Sequence, residues 1–225
     1  MEKLIKTSTP LISTVDRDDF IKASEKTFDC IFDGTSKFYP WILPSNIPKQ
    51  FKIGVIVGSS GSGKSTLLKN FGVEDSPEWD GTKSIVSHFE SPDESINKLG
   101  AVGLNTIPSW YKPYHVLSNG EKFRADLARK LRSNAVIDEF TSVIDRNVAK
   151  AASVSLSRYV KNNDINNIVL ATCHRDILEW LEPDWVIDTD TGEFHQGFFL
   201  RVQKSISKYI EQAILSGPCL KTIII

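Results

Sequence analysis

Residues 52–58 read KIGVIVG, a short and nearly continuous apolar run stopped by glycine. Such a run fits a parallel strand buried on both faces, since a half-exposed strand would alternate apolar and polar positions. Four further stretches read as strands: SIVSHF (Ser84 to Phe89), NAVIDEF (Asn134 to Phe140), NNIVLATCH (Asn166 to His174) and DWVIDTD (Asp184 to Asp190). Helical patterns lie between them, in KSTLLKNF directly after the first run and at about residues 119–132, 145–161 and 175–181. Strands alternating with helices predict an α/β fold, a mainly parallel sheet covered on both faces. The first 50 residues are less regular. KTFDCIFD (Lys26 to Asp33) alternates as a strand would, and YPWILPSNIP is too rich in proline for regular structure. Near the C-terminus, SISKYIEQAIL sets Ile206, Tyr209, Ile210, Ala213 and Ile214 at helical spacing, and Gly217-Pro218 would end that helix. Its apolar face suits packing on its own domain or a contact with a second copy. CLKTIII is too short to read, and the chain shows no internal repeat or clear linker.

Composition adds bounds. The 225 residues are 40% hydrophobic and 24% charged with net charge -1, which suits a soluble globular protein of one large domain or two small ones. That balance leaves a local basic patch open but gives no support for wholesale nucleic-acid binding. Cys30, Cys173 and Cys219 are odd in number and lack paired spacing, against a disulfide framework or a zinc site and in favour of the reducing cytoplasm. The start MEKLIKTSTPLIST has no apolar core of a signal peptide, and no apolar run approaches the roughly 20 residues of a membrane helix. Work at a membrane would therefore need another chain to bring this one there.

The chemistry begins where the first strand ends. GSSGSGKST (Gly58, Ser59, Ser60, Gly61, Ser62, Gly63, Lys64, Ser65, Thr66) matches G-x-x-x-x-G-K-[ST] between an apolar strand and a helix. Glycines there let successive backbone N–H groups turn inward on a polyphosphate at the positive end of the following helix. Lys64 then reaches the β- and γ-phosphates, and the Ser65 hydroxyl binds Mg²⁺. A nucleotidase of this kind needs an acid at the end of a neighbouring apolar strand. AVIDEF supplies Asp138 for the Mg²⁺ shell and Glu139 to polarise the attacking water. Taken alone, a strand ending in Asp-Glu is as readily a solvated turn.

A third motif lies just upstream of that strand, in HVLSNGEKFRADLAR (residues 115–129). Leu117, Ser118, Asn119, Gly120, Glu121 and Arg124 line up with the signature L-S-G-G-Q-x-x-R of ABC-type ATPases. DEFTSVID (Asp138 to Asp145) resembles the family's D-E-P-T-S-A-L-D run with Phe140 for proline, and His174 in ATCH matches its switch histidine. The order and spacing of these motifs over residues 51–175 resemble the ABC-type P-loop NTPases. Within them, SWYKPYHVLSNGEKFRADLAR, DEFTSVIDR and CHRDILEWLEPDW resemble a soluble subgroup, found in bacteria, archaea and phages, that is often joined to a GNAT-like acetyltransferase domain. About 35 residues follow Asp190, too few for that domain, so the resemblance implies an ATPase-only member.

The resemblance implies an ABC-ATPase α/β fold with an N-terminal antiparallel β portion, a reduced helical subdomain, a nucleotide-binding domain over residues 1–195 and a helical tail over 196–225. It also implies a head-to-tail homodimer in which each Mg-ATP lies between one P-loop and the partner's Ser118, Asn119 and Gly120. Ser118, the Gly120 N–H and the helix dipole would then face the γ-phosphate, although Ser118 or Asn119 could equally make an ordinary N-cap. His174 would contact the γ-phosphate and orient the water beside Glu139. The family's glutamine after the second core strand is not visible, and SIVSHF offers His88, a poor Mg²⁺ ligand, in its place. Glu121 stands for the usual glutamine and is expected to point away from the phosphate. Phe32, Phe38 and Tyr39 are the aromatics available to stack on adenine. Only Glu90 to Val116 separates the SIVSHF strand from the signature, short for a transporter-docking insertion and without room for a long coiled coil. The expected function is an ATP-hydrolysing switch for a partner protein, an acetyltransferase among the options, or a nucleic-acid process. The alternatives are the ATP-binding subunit of a membrane transporter and a nucleotide-dependent binding module with little turnover.

Overall fold

The computed structural model describes residues 2–197. The C-terminal helix expected around Ile206 to Ile214, and the tail that carries it, lie outside these residues. The chain runs through strands β1 (Glu2–Lys3) and β2 (Leu11–Thr14), helix α1 (Asp19–Phe28) and strands β3 (Thr35–Phe38) and β4 (Ile53–Val57). It continues through helices α2 (Lys64–Leu68), α3 (Pro92–Ala101), α4 (Ile107–Trp110) and α5 (Asn119–Lys130), then β5 (Val136–Ile137), α6 (Arg146–Asn162) and β6 (Ile168–Thr172). Helix α7 (Ile177–Leu181) and strands β7 (Trp185–Asp188) and β8 (Glu193–Gln196) follow.

The main sheet has the order β1-β8-β7-β4-β6-β5. Strands β7, β4, β6 and β5 are parallel, and β8 and β1 extend the sheet antiparallel. The phosphate-loop strand β4 sits in its interior, buried at every position. Alternation sends Ile53, Val55 and Val57 to a layer of helices α3, α5, α6 and α7, while Ile56 faces Leu67 and Leu68 of α2 and the Trp41–Phe51 segment. Both faces are therefore covered, which is why the sequence shows a continuous apolar run rather than alternation. Helix α6 owes its position to the same logic: Ala149, Ala152, Ser153, Leu156 and Val160 recur at three- and four-residue spacing and are buried. Each large side chain hidden this way contributes about 1.5–3 kcal/mol.

Several elements differ from the sequence expectation. Residues 26–33 do not form a strand. Asp18 caps α1 by accepting from the Ile21 N–H at 2.9 Å, and the helix runs to Phe28 before Asp29 turns it off at φ 49°. The antiparallel partner of β2 is β3, further along. Helix α1 buries no side chain and β2 is exposed throughout. The expected strand at 84–89 is a 3₁₀ turn over Ile85–His88. There the Ser87 N–H donates to the Ser84 carbonyl, and His88 Nδ1 lies 2.9 Å from the same oxygen. These local bonds take groups that a ladder would need.

Candidate active site

The phosphate loop leaves β4 at Gly58 and enters α2 at Lys64. Gly58 has no room for a side chain, because a Cβ would come within 2.0 Å of Thr189 Oγ1. Gly63, at φ +95°, would bring a Cβ to 2.5 Å from the Phe38 ring, so glycine is required on both conformational and steric grounds. Trp41 adds a hydrogen bond from Nε1 to the Ser62 carbonyl at 3.1 Å. The loop is thus backed by β3 and the residues after it, while Ser59, Ser60, Gly61 and Ser65 face solvent and Thr66 is half-buried. Lys64 Nζ donates to the Ser59 carbonyl at 2.7 Å, which folds the lysine across its own loop. Ser62 Oγ lies 2.7 Å from Thr189 Oγ1.

The acidic segment follows β5, which is separated from β4 by β6 alone. Asp138 is half-buried and accepts the Glu139 N–H at 2.8 Å, whereas Glu139 is exposed. Glu139 (φ 49°) and Thr141 (φ 68°) both adopt left-handed backbone conformations. For a β-branched threonine that conformation is strained, at about 1–3 kcal/mol, and it persists only where the surroundings over-determine it. They do so here. Phe140 is fully buried between the two, with its ring 5.8 Å from that of Phe123, and its N–H donates to the Ala171 carbonyl at 2.8 Å.

His174 reaches this segment from the end of β6. Its Nδ1 lies 3.2 Å from Thr141 Oγ1, and its N–H donates to Thr172 Oγ1 at 3.1 Å. Thr172 in turn donates to the Phe140 carbonyl at 2.8 Å. Burial, reinforced by the Arg146 charge and only partly opposed by Asp176, lowers the His174 pKa and favours the neutral ring at pH 7.

The signature turn forms the start of α5. Ser118 is the N-cap of a reciprocal capping box with Glu121. The Glu121 carboxylate accepts the Ser118 N–H at 2.9 Å, the Ser118 hydroxyl at 2.8 Å and the Ser109 hydroxyl. Those bonds, the one from Ser109 foremost, hold its pKa at about 2. The carboxylate is turned into the helix start. Arg124 fastens the turn by donating to the carbonyls of Gly120 (3.0 Å) and Gly103 (2.9 Å). Asn119 lines a cavity of about 410 Å³ with Lys122, Asp126, Asp138 and Glu139, among others. Val148 of α6 lies 3.9 Å from where a Gly120 Cβ would be.

His88 has no free nitrogen for a metal. Its Nε2 accepts the Asp80 N–H at 2.9 Å, its Nδ1 faces the Ser84 carbonyl, and its ring meets Trp79 edge-on at 4.9 Å. Among the three aromatics, Phe38 is the one against the phosphate loop. The Phe32 N–H serves Glu25, and Tyr39 is 42% exposed. The sequence reading missed Thr172, Thr189 and Asp190. The first two are threonines at strand ends without a motif, and Asp190 passes for a turn residue in DTDTG.

No family model and no curated protein matches this sequence. Solved structures do match in shape. The dimeric structure of MJ0796, a bacterial ABC transporter cassette, superposes with TM-score 0.51 at 15% identity, over 72% of this chain and 92% of that one. The dimeric post-hydrolysis state of the same cassette, bound to ADP and Pi, gives TM-score 0.53 at 15% identity, over 87% of this chain and 98% of that one. This chain has the fold of the ABC-type ATP-binding cassettes, a mostly parallel sheet flanked by helices with an antiparallel β part.

Proposed function

We propose that the chain is an ABC-type ATPase that binds Mg-ATP at a head-to-tail homodimer interface and hydrolyses it. The observation that carries this reading is the convergence on one sheet of the phosphate loop, the Asp138–Thr141 segment and His174, with Thr172 and Thr141 bonding the last two together. Lys64 moves from the Ser59 carbonyl to the β- and γ-phosphates. Ser65 and Asp138 offer only hard oxygen donors, which suits Mg²⁺ shared with substrate phosphates. No cluster of three or more metal-ligating side chains occurs among the described residues, in keeping with an ion that arrives with the nucleotide. When bound, Mg²⁺ supplies charge neutralisation on the phosphates. Glu139 takes a proton from the attacking water as its oxygen bonds to the γ-phosphorus, the bond from phosphorus to the β–γ bridging oxygen breaks, and that oxygen leaves with ADP. Neutral His174 donates its ring N–H to a γ-phosphate oxygen and aligns that water. Ser118, Asn119 and Gly120 complete the site of the second copy, as the dimeric state of the MJ0796 cassette supports.

The nucleotide-binding domain is assigned through Gln196, the last residue of β8, one residue past the bound of 195 expected from the sequence. Between Glu90 and Val116 lie α3 and the four-residue α4, a small helical subdomain that favours a cytoplasmic switch acting on a partner protein over a transporter subunit. The resemblance to the acetyltransferase-linked subgroup makes an acetyltransferase one such partner. The transporter reading draws on the named role of MJ0796 and predicts co-purification with an integral membrane protein. Steady phosphate release from Mg-ATP tests the enzymatic claim. Lys64→Ala is expected to lower it about a hundredfold or more, and a rate unchanged by that substitution would overturn the assignment.

A further inference from the structure

Ser59 is bonded through its N–H, its hydroxyl and its carbonyl. Its N–H is shared between Asp190 Oδ1 and Oδ2 at 2.9 and 3.0 Å, and its hydroxyl donates to Oδ1 at 2.7 Å. Its carbonyl holds Lys64. Asp190 is itself held. Arg175 donates to Asp190 Oδ2 at 2.9 Å and to both Asp188 oxygens at 2.9 Å, and the Asp190 N–H donates to Asp188 Oδ1 at 2.9 Å. Arg175 directly follows His174, and the next residue, Asp176, pairs with Arg146 at the start of α6. The tripeptide His174-Arg175-Asp176 thus reaches the phosphate loop on one side and the segment after the acidic strand on the other.

A carboxylate beside a loop that receives polyphosphate opposes the ligand's charge, so its presence calls for a compensating role. Backbone order is that role. A loop of glycines and serines loses more conformational freedom on closing around a ligand than any other composition, unless it is ordered beforehand.

We propose that Arg175 and Asp190 are positioning residues that clamp the phosphate loop at Ser59, ordering it in advance for nucleotide phosphates and linking it to the tripeptide that carries His174. This deepens the ATPase reading and rests on it. Burial works against the Asp190 carboxylate, yet the bonds from Ser59 and Arg175 outweigh it and hold its pKa at about 2, so the clamp is ionised at neutral pH.

The test compares Mg-ADP affinity by calorimetry and amide hydrogen exchange at Ser59 in the full chain, Asp190→Ala, Arg175→Met, Arg175→Lys and the double variant Asp190→Ala with Arg175→Met. Removing the Asp190 charge would by itself tighten binding of an anion, so the sign separates positioning from simple electrostatics. The clamp predicts that Asp190→Ala and Arg175→Met each weaken Mg-ADP about five- to tenfold, with faster exchange at Ser59. The double variant is no weaker than the singles, because both act through one device. Arg175→Lys does not restore affinity, since an ammonium cannot hold Asp188 through two nitrogens while reaching Asp190 from one of them. Tighter or unchanged Mg-ADP binding with wild-type exchange at Ser59 would overturn the clamp, even if the melting temperature fell. Absence of Mg-ADP binding by the unaltered chain would bring down the ATPase reading and the clamp together, whereas binding indifferent to these substitutions sinks the clamp alone.

Discussion

Glu121 shows how one residue can serve the helix rather than the ligand. A carboxylate in the first turn of α5 complements the helix start, and its three hydroxyl and amide donors satisfy it completely enough to hold its pKa at about 2 against an ordinary 4.5. Because the folded value is the lower one, the ionised form favours the folded state. The stabilisation is fully present above about pH 4.5 and is lost as pH falls toward 2. Glu121→Ala should therefore cost about 1 kcal/mol at pH 7, with the difference from wild type shrinking below pH 4.5. Thermal melts across that range check it, and a pH-independent difference would assign the loss to packing. His174 is shifted in the same direction, and its depressed pKa means that protonation is resisted in the folded state, so the favoured form is the neutral ring and its contribution is likewise lost as pH falls. Hydrolysis that uses the neutral ring is expected to stay flat between pH 7 and 8 and to fall only below the ordinary histidine range. A pH–rate profile on Mg-ATP reads this directly.

At the scale of elements, Phe140 joins the acidic segment to β6. A proline, the usual residue of the resembling pattern, would lose both the Phe140 N–H bond to Ala171 and a fully buried ring. Phe140→Pro should then destabilise the chain by about 3 kcal/mol or more in urea unfolding. Little or no change would mean that this segment is held from elsewhere. The same scale shows what the sequence made legible. Strands β4, β6 and β7 were readable because burial on both faces leaves no polar alternation, and α5 and α6 because their apolar positions recur at helical spacing. The 84–89 stretch misleads because Ile85 is buried as a strand residue would be, yet serine and histidine side chains bond locally and roll it into a turn. Likewise KTFDCIFD alternates by coincidence, while Asp18 and Glu25 settle α1 through caps and a tie to the Phe32 N–H. Helix α3 carried a readable signal in Ser91-Pro92, with the Ser91 side chain accepting the Glu94 N–H. The two-residue edge strand β1 gave none, because its partner β8 is distant in the chain.

Across the whole molecule, the motif residues fall into two groups. The phosphate loop, Asp138, Glu139 and His174 gather at the ends of the central parallel strands. The turn at Ser118 starts α5, where Arg124 and Glu121 fix it beside α6, and its Asn119 shares a cavity with Asp138 and Glu139. Motifs were legible as chemistry, because each needs particular residue types at fixed spacing. The ties that hold them, from Thr172, Thr189, Arg175 and Asp190, were not, because they depend on contacts between distant strand ends. Division of one active site between two copies is the central claim, and trapping ATP tests it most directly. Glu139→Gln should block hydrolysis while leaving Mg-ATP bound. Light scattering coupled to size exclusion is then expected to show a dimer with Mg-ATP and a monomer without it, with Ser118→Arg abolishing the dimer. A Glu139→Gln chain that binds Mg-ATP yet remains monomeric at saturating nucleotide would contradict the account.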